Sequence, residues 1–597
     1  MKQEEIKCSN CGIVNSPSSD RCTVCGQSLK GTRILSERQA EVEVRNVNGQ
    51  KRPLISRLPS FNFTFRKSPG RIHGKKTWLI PLSIFMVLIV LFSLFWLVTR
   101  FIQPTPIMPT GIGPDGIGVN LVDGEYIGIS DGRYPLNIRD RDVRSLMLQA
   151  SESLKNGNLG AAFTEWDRAH EKATNDAEPL IYAENQRVIA SGAPYITIVL
   201  GVSFSVNVDD GFSRDALQAA YLVQKKCNEN PQLAGGKKLR LLIASSGSNP
   251  NRSKDIAQQI VQVVQSDKTI VGVQGWPTSV STLNAIQTLV QARLPIVAAD
   301  TVSDLLTNIS PYFFRIEAPS SVNVFLTTNY IEKKFAPQRL VILRDLNEPY
   351  SYGASQDFVR QFMTDGYRVA HIEDFKTADE GKLAQQVQNI LPTYKPDLLY
   401  IPTINIEDIK TVLNNIPTTA EYANLKVLTG VEGYELVHPE HQVSGYTRML
   451  ISSSAFPDEW QILAQGQPEP PFFKDYIAAY DPHNQHIDSP YTYRRANAET
   501  MMGYDALSVF LVASKNAIRQ GKPNPTPEDI KNALSQINSL QPFQGITGAI
   551  AFGTDGNPIK ELHFVLRVDP DGHTHVAAYQ GCLLINSPCD NSIVIQE

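Results

Sequence analysis

The stretch "KLRLLIASSGSNPNRSKDIAQQIVQVVQSDKTIVGVQG", Lys238 to Gly275, decides the fold class. It opens on an apolar run that does not alternate, the pattern of a strand buried on both faces. "SKDIAQQIVQVVQ" then places its apolar residues at helical spacing, and "TIVGVQG" returns to a continuous apolar run. Strand, helix, strand over this length is a parallel crossover unit, because parallel neighbours need a connection long enough to return the chain to the same end of the sheet.

The alternation continues on both sides. "YITIVLGVSFS" and the helix "SRDALQAAYLVQKKC" come before; "STLNAIQTLVQARL" and "PIVAAD" follow. A second series runs through "QRLVILRD", "RVAHIEDF", "DLLYIPTI" and "LKVLTGV". Two series predict two doubly wound α/β lobes, each offering loops at the carboxyl ends of its strands. At 597 residues the chain has room for more than these lobes. A net charge of −4 with no basic domain gives no reason to expect a nucleic-acid partner.

The N-terminal part is of another kind. "TWLIPLSIFMVLIVLFSLFWLV", Thr77 to Val98, has no charged residue and is long enough to span a bilayer. Arg66, Lys67, Arg71, Lys75 and Lys76 precede it and Arg100 follows. The positive-inside rule then puts the N-terminus in the cytoplasm and the C-terminal domain outside, a single-pass topology. Cys8-x2-Cys11 and Cys22-x2-Cys25, each pair followed by glycine (Gly12, Gly26), supply four thiolates for tetrahedral Zn²⁺ and resemble a small zinc ribbon. No nearby histidine or open ligand position marks it as catalytic, so the metal is expected to be structural.

The spacing predicts a ribbon over 1–29, a basic linker over 30–76, the transmembrane helix over 77–98 and a Pro/Gly spacer with a small hairpin over 99–138. "GEYIGISDGRYPLN" carries the Asp-Gly of that hairpin. Residues 139–192 are expected to form a helical spacer, weakly similar to tetratricopeptide units and more simply read as packed on the next domain. From 193 to 597 runs the large domain, with lobe one over about 193–318 and 452–540, and lobe two over about 319–451 and 541–597.

That large domain resembles the type I periplasmic solute-binding proteins, specifically the branched-chain amino-acid binding group of ABC transporters. The resemblance rests on segments in order: "GGKKLRLLIASSGSNPNRSKDIAQQIV", "VGVQGWPTSVST", "LPIVAADTVSDLL", "PYFFRIEAPSS", "RDLNEPYSYG" and "FQGITGAIAFGTDGNP". It implies two lobes joined by three crossings that close over a small ligand. In that family lobe one holds the ligand's carboxylate through hydroxyls and backbone N–H groups. Here those fall on Thr278 and Ser279, and on Ala299 and Thr301. Tyr352 in "YSYG" matches the tyrosine that closes over the ligand, and Glu432 in "GVEG" the acid that pairs with its ammonium.

Some positions depart from the family. Trp276 replaces the usual proline and either stacks on the ligand or packs in the core. Asp300 stands where a small residue is usual; if it faces the cleft, a second carboxylate favours extra positive charge, an amide or a polyamine. Thr403 and Asn405 replace a glycine-rich, aromatic pattern. Cys582 and Cys589 are spaced for a small disulfide loop, and Cys227 reads as core. No assembled nucleophile–base motif is recognisable. The expectation is therefore a binder of a small amino-acid-like or amide solute, not an enzyme. It either delivers the solute to an ABC permease or signals inward through the single helix, which would call for a homodimer.

Overall fold

The computed structural model describes residues 6–7, 14–15, 110–137, 141–205, 211–377, 379–437, 443–464, 466–487, 492–559, 561–570, 572, 574–586 and 592–596. The zinc-ligand candidates Cys8, Cys11, Cys22 and Cys25, the apolar segment 77–98 and Cys589 lie outside them. Among the described residues no helix is long and apolar enough to cross a membrane. In the first compact unit, residues 1–107, Ile6–Lys7 pairs antiparallel with Val14–Asn15.

The second unit, residues 108–597, holds two eight-stranded sheets. In the first, β1 (Gly111–Ile112), β2 (Gly118–Val122) and β3 (Glu125–Ser130) precede β4 (Tyr195–Val202), β5 (Lys238–Ser245), β6 (Ile270–Gln274), β7 (Ile296–Ala298) and β8 (Phe313–Arg315). They lie in the order β8-β7-β6-β4-β5-β3-β2-β1. The strands from β4 to β8 are parallel and buried almost throughout, as their unbroken apolar runs require.

Residues 110–190 pack on lobe one. The hairpin β2–β3 extends the sheet, with β3 antiparallel to β5 through Gly128↔Ser245, Ile129↔Ala244 and Ser130↔Ile243. It turns at Asp123 and Gly124, both at positive φ (52° and 84°), the geometry a two-residue hairpin turn demands. Asp131-Gly132, the dipeptide that signalled a turn, lies beyond the second strand.

Three helices follow, Arg141–Lys155, Leu159–Lys172 and Glu178–Ala190, and their apolar residues join the core of lobe one. Buried Asn185, on the third helix, acts as a side-chain strand. Its amide donates to the Leu241 carbonyl (2.7 Å) and accepts from the Leu241 N–H (2.9 Å). That satisfies backbone groups of β5 beyond the reach of β3.

The second sheet contains β9 (Leu340–Asp345), β10 (Val369–Phe375), β11 (Leu398–Ile401), β12 (Lys426–Thr429) and β13 (Met449–Ser453). After the short pair β14 (Phe543–Gln544) and β15 (Ala549–Ile550) come β16 (His563–Val568), β17 (Thr574–Gln580) and β18 (Val594–Ile595). The order is β10-β9-β11-β12-β13-β16-β17-β18; the first five strands are parallel and the last three antiparallel. Between β13 and β14 the chain returns to lobe one, where the helix Ala498–Arg519 is buried nearly all round. Cys582 is buried and disulfide-bonded. Cys227 is a buried free thiol in the lobe-one core, as its apolar helix face implied.

Three crossings join the lobes: after β8, after β13 and before β16. They are bonded to one another. The Ser454 hydroxyl donates to Glu317 (2.7 Å) and lies 3.1 Å from Nδ1 of His563, and the Ala318 N–H donates to Glu561. Gly556 packs its backbone on the first crossing at φ +79°, where a Cβ would sit 2.0 Å from the Phe313 carbonyl oxygen.

Candidate functional site at the junction of the lobes

Strand–loop–helix connections from both sheets meet at the crossings and enclose about 830 Å³, open solvent included. Lobe one contributes Phe212, Pro277, Thr278, Ser279, Asp300, Val302, Glu499 and Met502. Lobe two contributes Glu348, Tyr350, Phe358, Ile404, Val431 and Glu432. Glu317, Ser320 and Ser452 come from the crossings and their flanks.

Thr278 ends the loop after β6 in extended conformation (φ −107°, ψ 143°) and caps the helix Ser279–Gln291. Its hydroxyl accepts from the Ser281 N–H (3.4 Å) and donates to the Ser281 hydroxyl (3.0 Å). It is an ordinary N-cap that also faces the cleft, where the helix dipole favours an anion. Ser279 faces the cleft beside it and accepts from the Ser303 N–H (3.2 Å), tying this loop to the one after β7.

Glu432 follows β12 in the turn flanked by Gly430 and Gly433. A Cβ on Gly430 would lie 2.5 Å from Oε2 of Glu432 and 2.7 Å from the Tyr350 hydroxyl. One on Gly433 would meet the Thr429 hydroxyl at 2.2 Å. The glycines keep room for a carboxylate and a phenol to stand together at the mouth of a buried strand.

Other predicted residues lie elsewhere. Trp276 packs in the core, its ring over Gly201, where a Cβ would come within 2.7 Å of it, and it does not line the cleft. Ala299 and Thr301 are buried behind the cleft wall; Thr301 offers its carbonyl to Arg315 (2.8 Å). Thr403 turns inward, accepting from the Asn405 N–H (3.1 Å) and donating to Asp408 (3.0 Å), and the next residue, Ile404, reaches the cleft.

Tyr352 is displaced by helix geometry. The helix Pro349–Thr364 begins just before it, so Tyr350 and Tyr352 are separated by about 200° of rotation. Tyr350 faces the cleft, while Tyr352 lies beneath the Arg344 guanidinium, 5.1 Å from its ring centroid.

Sequence reading missed Glu317, Glu348 and Glu499. Glu317 sits inside "FFRIEAPSS" and Glu348 inside "RDLNEPYSYG", segments read for their hinge and turn; nothing in "NAETMMGY" separates Glu499 from a solvated helix start. Burial raises all three carboxyls, Glu317 and Glu348 to about 7 and Glu499 well above its usual value. It also raises Asp300, which feels Glu317 and Glu432 nearby.

Solved structures of several binding proteins share this fold. A leucine binding protein from Thermotoga maritima is 18% identical, with a TM-score of 0.51, over 64% of this chain and 98% of its own. A branched-chain amino acid transporter substrate binding protein from Streptococcus pneumoniae, solved with isoleucine, is 17% identical, with a TM-score of 0.50, over 64% and 98%. An ABC transporter substrate-binding protein from Sphaerobacter thermophilus is 15% identical, with a TM-score of 0.51, over 65% and 98%. No curated protein matches the sequence. A model of the family described as periplasmic binding protein matches residues 197–573, the two lobes and their crossings. The chain belongs to the periplasmic binding protein family.

Proposed function

We propose that the chain is an extracytoplasmic solute-binding protein that captures a small amino-acid-like ligand between its lobes by hinge closure. One observation carries this reading: a single cavity is walled by both lobes and by the crossings between them, so a bound solute would bridge bodies that otherwise separate. Thr278 and Ser279 offer a hydroxyl-lined helix N-terminus to a ligand carboxylate, and Glu432 with Tyr350 a partner to its ammonium. The apolar segment 77–98 would tether the protein to the membrane as the substrate-binding component of an ABC transporter. The Cys8–Cys25 ribbon favours a second reading, in which closure is signalled inward.

The test is a thermal-shift screen of the full-length chain, purified in a mild nonionic detergent, against amino acids, amides, polyamines and nucleobases. A true ligand at a hundredfold excess over its Kd should add about 2.7 kcal/mol to stability. Glu432→Ala should remove that shift while leaving the melting temperature of the empty protein nearly unchanged. A ligand whose shift survives Glu432→Ala binds elsewhere or without its ammonium paired, and the assignment of Glu432 would fall.

A further inference from the structure

The cleft carries far more carboxyl groups than a neutral amino acid needs. Asp300, Glu317, Glu348, Glu432 and Glu499 all line it, from five separate segments of chain, and none of its lining residues is lysine, arginine or histidine. Glu317 and Glu348 have hydrogen bonds of their own, from Ser454 and from the Ser351 N–H. Glu499 is only 7% exposed and faces the cavity, with its own backbone N–H as a hydrogen-bond partner. Asp300 also lines the cleft; the residue is partly exposed, but its Oδ1 is buried without a partner. Leaving such an atom bare costs free energy that a bound cation would offset.

The carboxylates do not converge on one point. Among the described residues no three acidic, histidine or cysteine side chains are grouped to hold a metal ion. They share the cavity with hydroxyl and amide side chains and with an apolar part of the wall made by Phe212, Val302, Val324, Phe358, Ile404 and Met502. Separated anions with a methylene-compatible wall between them complement ammonium groups spaced along a hydrocarbon chain.

We propose that the solute is a cation carrying two or more ammonium groups on a methylene chain. The proposal rests on the reading of the cleft as a solute site. Its two sources are a di- or polyamine and a basic amino acid, which would use the Thr278–Ser279 helix N-terminus as well.

A pH signature accompanies it. The groups facing the cleft are Asp300 after β7, Glu499 on the long lobe-one helix, and Glu348 and Tyr350 at the start of a lobe-two helix. Glu432 follows β12, and Glu317 stands on the first crossing. Behind them lie Asp215, already bonded by Asn497 and Arg214, buried Arg315, Glu561, and His563, which burial pushes down to about 3 and keeps neutral. Because burial raises Asp300, Glu317, Glu348 and Glu499, the empty cleft holds protons that a cation must displace. The sign follows: raised acids favour the folded empty protein at low pH and lose that contribution as pH rises toward about 7, where Glu317 and Glu348 titrate. Affinity for the cation should therefore rise from pH 6 to pH 8, with protons released on binding.

The experiment is calorimetry on the full-length chain in detergent at pH 6 and pH 8, with 1,4-diaminobutane, spermidine, lysine, leucine and 1-aminobutane. Expected are binding of at least one dication, tighter at pH 8, and weak or absent binding of leucine and 1-aminobutane. Glu499→Gln and Asp300→Asn, which remove charge without shortening a side chain, should each weaken the dication by roughly 10- to 100-fold, the worth of one charged hydrogen bond. Diamine or spermidine binding without lysine names a polyamine, and lysine alone names a basic amino acid. Leucine binding without any dication would overturn the cation and keep the solute-binding reading. No binding by any probe would overturn both, and a dication unaffected by either variant would overturn the site.

Discussion

Replacing Arg315 with alanine should destabilise the protein by about 3–5 kcal/mol, the range for removing one partner of a buried, compensated charge. The guanidinium is fully buried and every arm is used. Nη1 donates to the carbonyls of Thr301 (2.8 Å) and Ser303 (2.9 Å), Nη2 to the Thr307 hydroxyl (2.7 Å), and Nε to Asn557 (2.8 Å). Its backbone N–H meets the Gly556 carbonyl (3.1 Å). One side chain thus fastens the first crossing to the third and to the loop that presents Asp300. Alanine would leave two carbonyls and an amide oxygen unsatisfied in an emptied site. It would also remove the positive charge nearest Glu317 and Glu561. Chemical denaturation of the full-length chain measures the loss. Arg315→Lys should recover only part of it, since an ammonium cannot reproduce the planar fork. A loss below about 1 kcal/mol for alanine would mean the crossings are held by their backbone pairing instead.

This arginine also shows where sequence reading ends. "FFRIEAPSS" was legible as a crossing through its resemblance to the family's first hinge. That its arginine would fold back into the interior was not, since the partners that make burial tolerable lie as far away as Asn557. The two lobes were legible for the opposite reason: a strand buried on both faces must be apolar throughout, and that is a local property.

Loop position was legible and side-chain direction was not. "PYSYG" placed a tyrosine at the cleft but could not fix which one without the first residue of the helix. Trp276 stands in the cleft loop, yet the space above Gly201 draws its ring into the core. The gathering of five carboxylates around one cavity was invisible in any single window, because each comes from a different segment of chain.

Trp166→Ala should be the most damaging single substitution outside the two lobes' own strands, at about 3–5 kcal/mol. The indole is 1% exposed and packs edge-on against Phe163 (6.0 Å between centroids) and tilted against Tyr182 (6.2 Å). Beneath it, buried Glu178 accepts from the N–H groups of Leu136 (2.6 Å) and Asn137 (2.8 Å) and from the Tyr182 hydroxyl (2.8 Å). That network pins the three helices to the chain leaving β3, and Asn185 pins them to β5. If residues 110–190 were only a spacer, the substitution would melt a small helical unit and leave solute binding intact. Because the hairpin completes the sheet of lobe one and the helices share its core, the full-length variant should instead lose stability across the whole of residues 108–597. Its fluorescence and circular-dichroism transitions should stay coincident as the midpoint falls. Two separated transitions would show that the helices fold apart from the lobe they cover. Coincident ones would mean that everything from Gly111 onward is one cooperative body.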